Sequence, residues 1–110
     1  MSIKLTISDK VGFKVRGVIN DAAGLPLPFD FGLVCQRLDA DQIQRRLVAG
    51  DENVIEFLAD VTESWSGVRD AEDKLLPYSP ETLRQLCKIP GVAGLMLRTY
   101  LAEVGAKEKN

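Results

Sequence analysis

A chain of 110 residues makes one domain, and at that size folding buries about two-thirds of the unfolded chain's surface, enough for one modest core. Its 45% hydrophobic and 27% charged residues exclude an intrinsically disordered chain and a coiled-coil rod, and a net charge of -2 from 14 basic and 16 acidic residues lacks the basic excess that nonspecific nucleic-acid binding needs. With no histidine and only two cysteines, Cys35 and Cys87, 52 positions apart and outside any CxxC pair, the commonest general base is absent and a structural zinc site is excluded.

In chain order, Ile3, Leu5 and Ile7 alternate with Lys4 and Thr6, a period of two that predicts a short half-buried strand ending at a Ser8-Asp9-Lys10 turn. The alternation resumes in Val11, Phe13, Val15 and Ile19 against Gly12, Lys14, Arg16 and Val18, which predicts a second strand. From Asn20 to Pro28, Asp21, Gly24 and the amide-free Pro26 and Pro28 read as a loop. Phe29, Phe31, Leu33 and Cys35 alternate with Asp30, Gly32, Val34 and Gln36 as a third strand with an aromatic row. Three successive strands predict an antiparallel meander over residues 3–37.

At Asp39 the period lengthens. Asp39 and Gln42 form a capping box, Ile43 and Leu47 repeat at i, i+4, and Gly50 offers a stop. Asp51 is placed to cap a second helix in which Val54, Leu58, Val61 and Trp65 fall at helical spacing, with Ile55 and Thr62 beside them, until Ser66-Gly67. After an acidic stretch with Asp70, Glu72 and Asp73, the run Ser79-Pro80-Glu81 supplies a cap, a first-turn proline and a first-turn acid for a helix to about Lys88. Ile89-Pro90-Gly91 breaks it, and Val92, Leu95, Met96, Thr99, Tyr100 and Val104 mark a last amphipathic helix before Gly105. The expected fold is therefore α+β: the meander, then four helices over residues 40–104 packed partly on the row of Phe29, Phe31 and Leu33, and a charged tail over 106–110.

Catalytic and metal-binding motifs are poorly matched. Asp70, Glu72 and Glu81 occupy offsets 1, 3 and 12 of a calcium loop, but Lys74 and Leu75 stand where a ligand and the turn glycine belong, so the segment reads as a solvated loop. Cys35 and Cys87 sit in apolar rows without a histidine to generate a thiolate. No GxGxxG or GxxxxGK[ST] phosphate loop occurs, and Gly91-Val-Ala-Gly94 reads as an ordinary helix start. A non-enzyme without cofactor or metal is the expectation.

Residues 38–79 carry ten acidic against four basic side chains, a face that could steer a basic partner. The opening Met1-Ser-Ile-Lys4 has no signal-peptide pattern, and the longest apolar stretch, Val92 to Val104, is interrupted by Arg98 and Glu103. These features predict a soluble intracellular protein with reduced thiols, without a membrane or nucleic-acid partner.

Large amphipathic aromatics and surplus apolar side chains mark candidate interfaces. Trp65 and Tyr100 lie on apolar helical rows, where core packing competes with an interface, whereas Tyr78 sits in a Pro-flanked loop. Leu97 and Leu101, with Leu83, Leu86, Ile89, Val92 and Leu95, exceed what one helix face buries, which predicts self-association or an apolar client.

Gly12-Phe-Lys-Val-Arg-Gly17-Val-Ile, the Asp21-Ala-Ala-Gly24 turn, Phe29-Asp-Phe31 in a strand ending Gln36-Arg37-Leu38, Trp65 to Val68, Pro77-Tyr78-Ser79-Pro80 and a closing helix ending in Tyr100 follow one another in an order that resembles the tail assembly chaperones of long-tailed, lambdoid bacteriophages. The resemblance spans nearly the whole chain and departs at Asp73 or Lys74, where a glycine is common. It implies a non-catalytic protein of the host bacterial cytoplasm that binds the tape measure protein, keeps it soluble, presents it to tail tube protein, self-associates, and is absent from the mature virion. It also implies a longer product made by programmed frameshift near the gene's end, and Glu108-Lys109-Asn110 is compatible with a slippery run. A small structural tail or head-completion protein retained in the virion is the alternative, and a host-directed inhibitor acting through the acidic middle is a third reading.

Overall fold

The computed structural model describes residues 2–48, 50 and 52–108, and its first regular element is a long hairpin. Lys10–Asn20 (β1) and Pro26–Gln36 (β2) pair antiparallel from Lys10 opposite Gln36 to Asn20 opposite Pro26. Asp21 makes the turn: its carboxylate accepts the amides of Ala23 (2.8 Å) and Leu25 (2.9 Å), and Gly24 takes the positive φ of 82° that an L side chain resists. Because the register joins odd to odd and even to even residues, Val11, Phe13 and Val15 share one face with Phe31, Leu33 and Cys35. Of these, all but Phe13 are buried. The expected loop over 20–28 is shorter than the prolines suggested. Both prolines sit in β2, tolerated because its far edge has no partner at that level.

Ala40–Ile43 forms a helix that passes into a π-helical stretch, Gln44–Val48 (together α1), and the Asp39–Gln42 capping box forms as expected. Val54–Val61 (α2) is capped by the Asn53 side chain, which accepts from Ile55 and Glu56 amides; Asp51, the expected cap, lies outside the described residues. Arg46 ties α1 to α2 through Glu52, Asp60 at 2.9 Å and the Phe57 ring, 4.8 Å from its centroid.

The second expected helix stops at Val61, and Thr62–Ser66 is instead the third strand (β3), antiparallel to β2. Cys35 faces Thr62 and Leu33 faces Trp65, so Glu63 is an extra residue, a β-bulge. The bulge puts Thr62 and Trp65, three positions apart, on the same buried face, a spacing that imitates a helix. The sheet is thus three-stranded and antiparallel, in the order β1-β2-β3, but β3 replaces the strand expected over Ile3–Ile7. That segment has no strand partner, and Ile3, Leu5 and Ile7 are 85%, 104% and 62% exposed. The amide of Arg37 donates to the Asp9 carbonyl at 2.8 Å, so the chain at Asp9 continues the line of β1 instead of folding back along it.

Pro80–Leu86 (α3) starts from a Ser79–Thr82 capping box, and Val92–Val104 (α4) follows Gly91 at φ 87°. Val92, Met96, Tyr100 and Val104, four apart, form the buried stripe of α4 where it lies across β1 and against α2. Helices α4 and α2 thereby pack on the sheet, with α3 against α2, giving the α+β fold, while Lys14, Arg16, Asp30 and Val34 line the opposite, exposed face. Ala106–Glu108 carry no regular structure; Lys109 and Asn110, with the expected slippery-run ending, lie outside the described residues.

Candidate functional site

The interface candidates separate into tethers and surface. Tyr100 is fully buried: its hydroxyl donates to the Gln36 carbonyl at 2.8 Å and accepts from the Leu38 amide, and its ring meets Phe13 and Phe57 edge-on. This corrects its candidacy, because contact with a partner would require the core to open. Trp65 Nε1 donates to the Leu76 carbonyl at 2.8 Å, and the Tyr78 hydroxyl donates to the Thr62 carbonyl at 3.1 Å. With their rings edge to face at 5.2 Å, the half-buried pair pins residues 67–79 against β3. Leu97 packs half-buried against the core, whereas Leu101 is 40% exposed and borders a depression with Ile7, Leu38, Ile43 and Val104.

The acidic loop is a compact turn. The Asp70 carboxylate accepts from Glu72 and Lys74 amides at 2.9 and 3.0 Å, and Asp73 adopts a φ of 62°. Arg69 donates to the Asp73 carbonyl at 2.9 Å. Both cysteines are free and buried. Cys35 contacts the Thr62 hydroxyl, and burial pushes its thiol up to about 11, so at neutral pH it stays protonated and non-nucleophilic. Among the described residues no group of His, Cys, Asp and Glu is placed to hold a metal ion, and no helix is long and apolar enough to cross a membrane.

An apolar concave surface lies at the hairpin-tip end of the sheet, with a cavity volume of about 340 Å³. Its floor comes from Phe29 and Phe31, whose rings stack with centroids 6.2 Å apart. Gly67, at φ 79°, ends β3 and turns Val68 and Arg69 into one wall. The opposite wall is the α3–α4 connection, whose two turns, Ile89 amide to Leu86 carbonyl and Val92 amide to Ile89 carbonyl, turn Ile89 outward. Ile19, Leu27 and Ile89 remain 42%, 53% and 39% exposed around it. The charged rim consists of Asp30 and Arg69, of which Arg69 is engaged by Asp73. Such a groove has no nucleophile and no proton donor or acceptor beyond its rim; it is suited to bury apolar side chains of a ligand chain.

Sequence reading placed Phe29, Phe31, Leu86, Ile89 and Val92 in the apolar rows but did not bring them to one groove, and it assigned Leu27 to a loop. The available signal was Leu25 and Leu27 among prolines, apolar residues in a segment with no strand above it to cover them. Compared with known proteins, the chain matches no family model, no curated protein and no solved structure.

Proposed function

We propose that this chain is a non-catalytic tail assembly chaperone of a long-tailed bacteriophage, which holds apolar segments of the tape measure protein in the groove between Phe29, Val68 and Ile89 and passes that client to tail tube protein. The observation that carries the reading is the groove: wide, apolar, and bordered by Ile19, Leu27 and Ile89 that stay partly exposed in the isolated chain. Apolar anchoring without a ladder of polar contacts tolerates many client sequences, which a chaperone of a long helical protein requires. The buried, protonated Cys35 and the absence of histidine support a binding role over catalysis. Self-association multiplies weak contacts along the client, and work confined to the host cytoplasm keeps the chain out of the finished particle.

The test is co-expression with the tape measure protein encoded in the same genome. The wild-type chain is expected to keep that protein soluble and to co-purify with it, and Leu27→Asp to lose both while remaining folded. Mass spectrometry of purified particles is expected to find tube and tape measure proteins without this chain. Its presence there in stoichiometric amount supports a retained structural protein instead.

A further inference from the structure

β1 is an edge strand: in the sheet order β1-β2-β3, and among the described residues, nothing pairs with its far side over Lys10–Asn20. Which of its backbone groups face that edge follows from β2. Val18 and Asn20 stand opposite Pro28 and Pro26, which have no amide, and the Arg37 amide donates to the Asp9 carbonyl at 2.8 Å. The hydrogen-bonded pairs with β2 are therefore the odd-numbered ones, so the N–H and C=O groups of Gly12, Lys14, Arg16 and Val18 point outward. These four residues are exposed. Two devices that commonly blunt an edge are missing, since β1 contains no proline and its pairing with β2 has no bulge.

The cations beside this edge are uncompensated. Lys14 and Arg16 stand on the open face of the sheet, and Arg98 of α4 shares a depression with Val18 and Ile19. Among the described residues none of the three has an ion-pair partner, although Asp30 stands opposite Arg16 on β2.

We propose that the edge of β1 receives an extended acidic segment of another protein, added antiparallel as a further strand. In that pairing each residue bonded to Gly12, Lys14, Arg16 or Val18 sends its side chain to the same face as its partner, so acids at alternate positions lie beside Lys14 and Arg16. The intervening side chains fall on the face that α4 crosses, where Leu95 packs over Gly17, and an apolar residue suits them. Main-chain bonds supply the hold, and the alternation of acid and apolar residue supplies the selectivity.

A second copy is a poor occupant. Two β1 strands laid edge to edge, antiparallel about Val15, set Lys14 of each against Arg16 of the other, like charges in directly opposed positions. A basic segment fails for the same reason. A nucleic acid meets the cations but has no amide ladder to complete the edge. The site is separate from the groove between Phe29, Val68 and Ile89, and stands whether or not that groove holds a client.

The test is a titration of the isotope-labelled full chain with short capped peptides that alternate Glu and Val, followed in heteronuclear NMR spectra. Amide shifts are expected to concentrate at Gly12, Lys14, Arg16 and Val18. In the antiparallel pairing the Glu amides face β1 and the Val amides face solvent, so N-methylation at Glu is expected to abolish binding and N-methylation at Val to leave it intact. Lys14→Glu combined with Arg16→Glu is expected to weaken binding about tenfold and to admit a peptide alternating Lys and Val. Leu27→Asp, which alters the groove, is expected to leave the affinity unchanged. A peptide N-methylated at Glu that binds like its parent, or an oligothymidylate of equal charge that binds as tightly, reduces the edge to a charged patch and overturns strand addition. Wild-type chain that shows no shifts, or that takes the Lys and Glu peptides alike, overturns the proposal as well.

Discussion

Tyr100 shows how much rests on single side chains in a core this small. Its hydroxyl satisfies the Gln36 carbonyl and the Leu38 amide at the point where β2 turns toward α1. Tyr100→Phe keeps the ring contacts but leaves both backbone groups short of a partner, and should lower unfolding free energy by about 1–3 kcal/mol in denaturant titration. Asp73 makes the opposite kind of demand. At φ 62°, glycine should be accepted there without loss, whereas Asp73→Val should cost about 1–2 kcal/mol, read as a drop in melting temperature. Cys35 sets an alkaline limit. Burial raises its thiol from an ordinary 9.0 to about 11, so its contribution to stability is complete below pH 9 and lost as pH rises toward 11 and the unfolded chain ionises first. Burial raises Cys87, Tyr78 and Tyr100 in the same direction. Denaturation midpoints should therefore fall from pH 9 upward, and Cys35→Ala, though less stable at pH 7, should show a shallower decline.

At the scale of elements, the bulge decides which side chains of β3 face the core. Deleting Glu63 would leave Thr62 and Trp65 two positions apart, where strict alternation keeps both on the buried face, so the strand should survive the loss of its bulge with little change in melting temperature, and Glu63→Gln should likewise change stability little because its pairing with Lys10 is exposed. The same bulge explains why this strand was illegible as a strand. Val54, Leu58, Val61 and Trp65 keep helical spacing across a change of structure that only the β2 register reveals. The helix starts at Asp39 and Ser79 were legible because capping is local: the residues that decide it lie within one turn. Ile3, Leu5 and Ile7 failed for the opposite reason. Alternation records that a segment is suited to be a strand, but pairing needs a neighbour, and β1 runs straight out from Asp9 and offers none within the chain. Hydrogen exchange in dilute solution should accordingly find amides 2–8 unprotected and those of paired β1 and β2 protected.

For the molecule as a whole, the groove was the least legible feature, because it is assembled from segments distant in sequence. Phe29 reads as sheet core, Ile89 as a helix break and Val68 as loop; their convergence depends on where Gly67 ends β3 and how Pro90-Gly91 folds α4 back over β1. The surplus of apolar side chains expected on the last two helices is mostly absorbed by the core, with Leu83 and Val92 buried, Leu86, Leu95 and Leu97 half-buried and Ile89 and Leu101 exposed, and uncovered apolar surface lies also at Ile19 and Leu27 and at Ile3 and Leu5. The proposal that this groove receives apolar chain segments is tested most directly by titrating the isotope-labelled chain with peptides tiling the tape measure protein, followed amide by amide in heteronuclear NMR spectra. Shifts are expected to concentrate at Ile19, Leu27 to Phe31, Gly67 to Arg69 and Ile89 to Val92, and to be abolished by Leu27→Asp. Shifts confined to the acidic turn around Asp70, to the open face around Lys14 and Val34, or absent with every peptide, would contradict it.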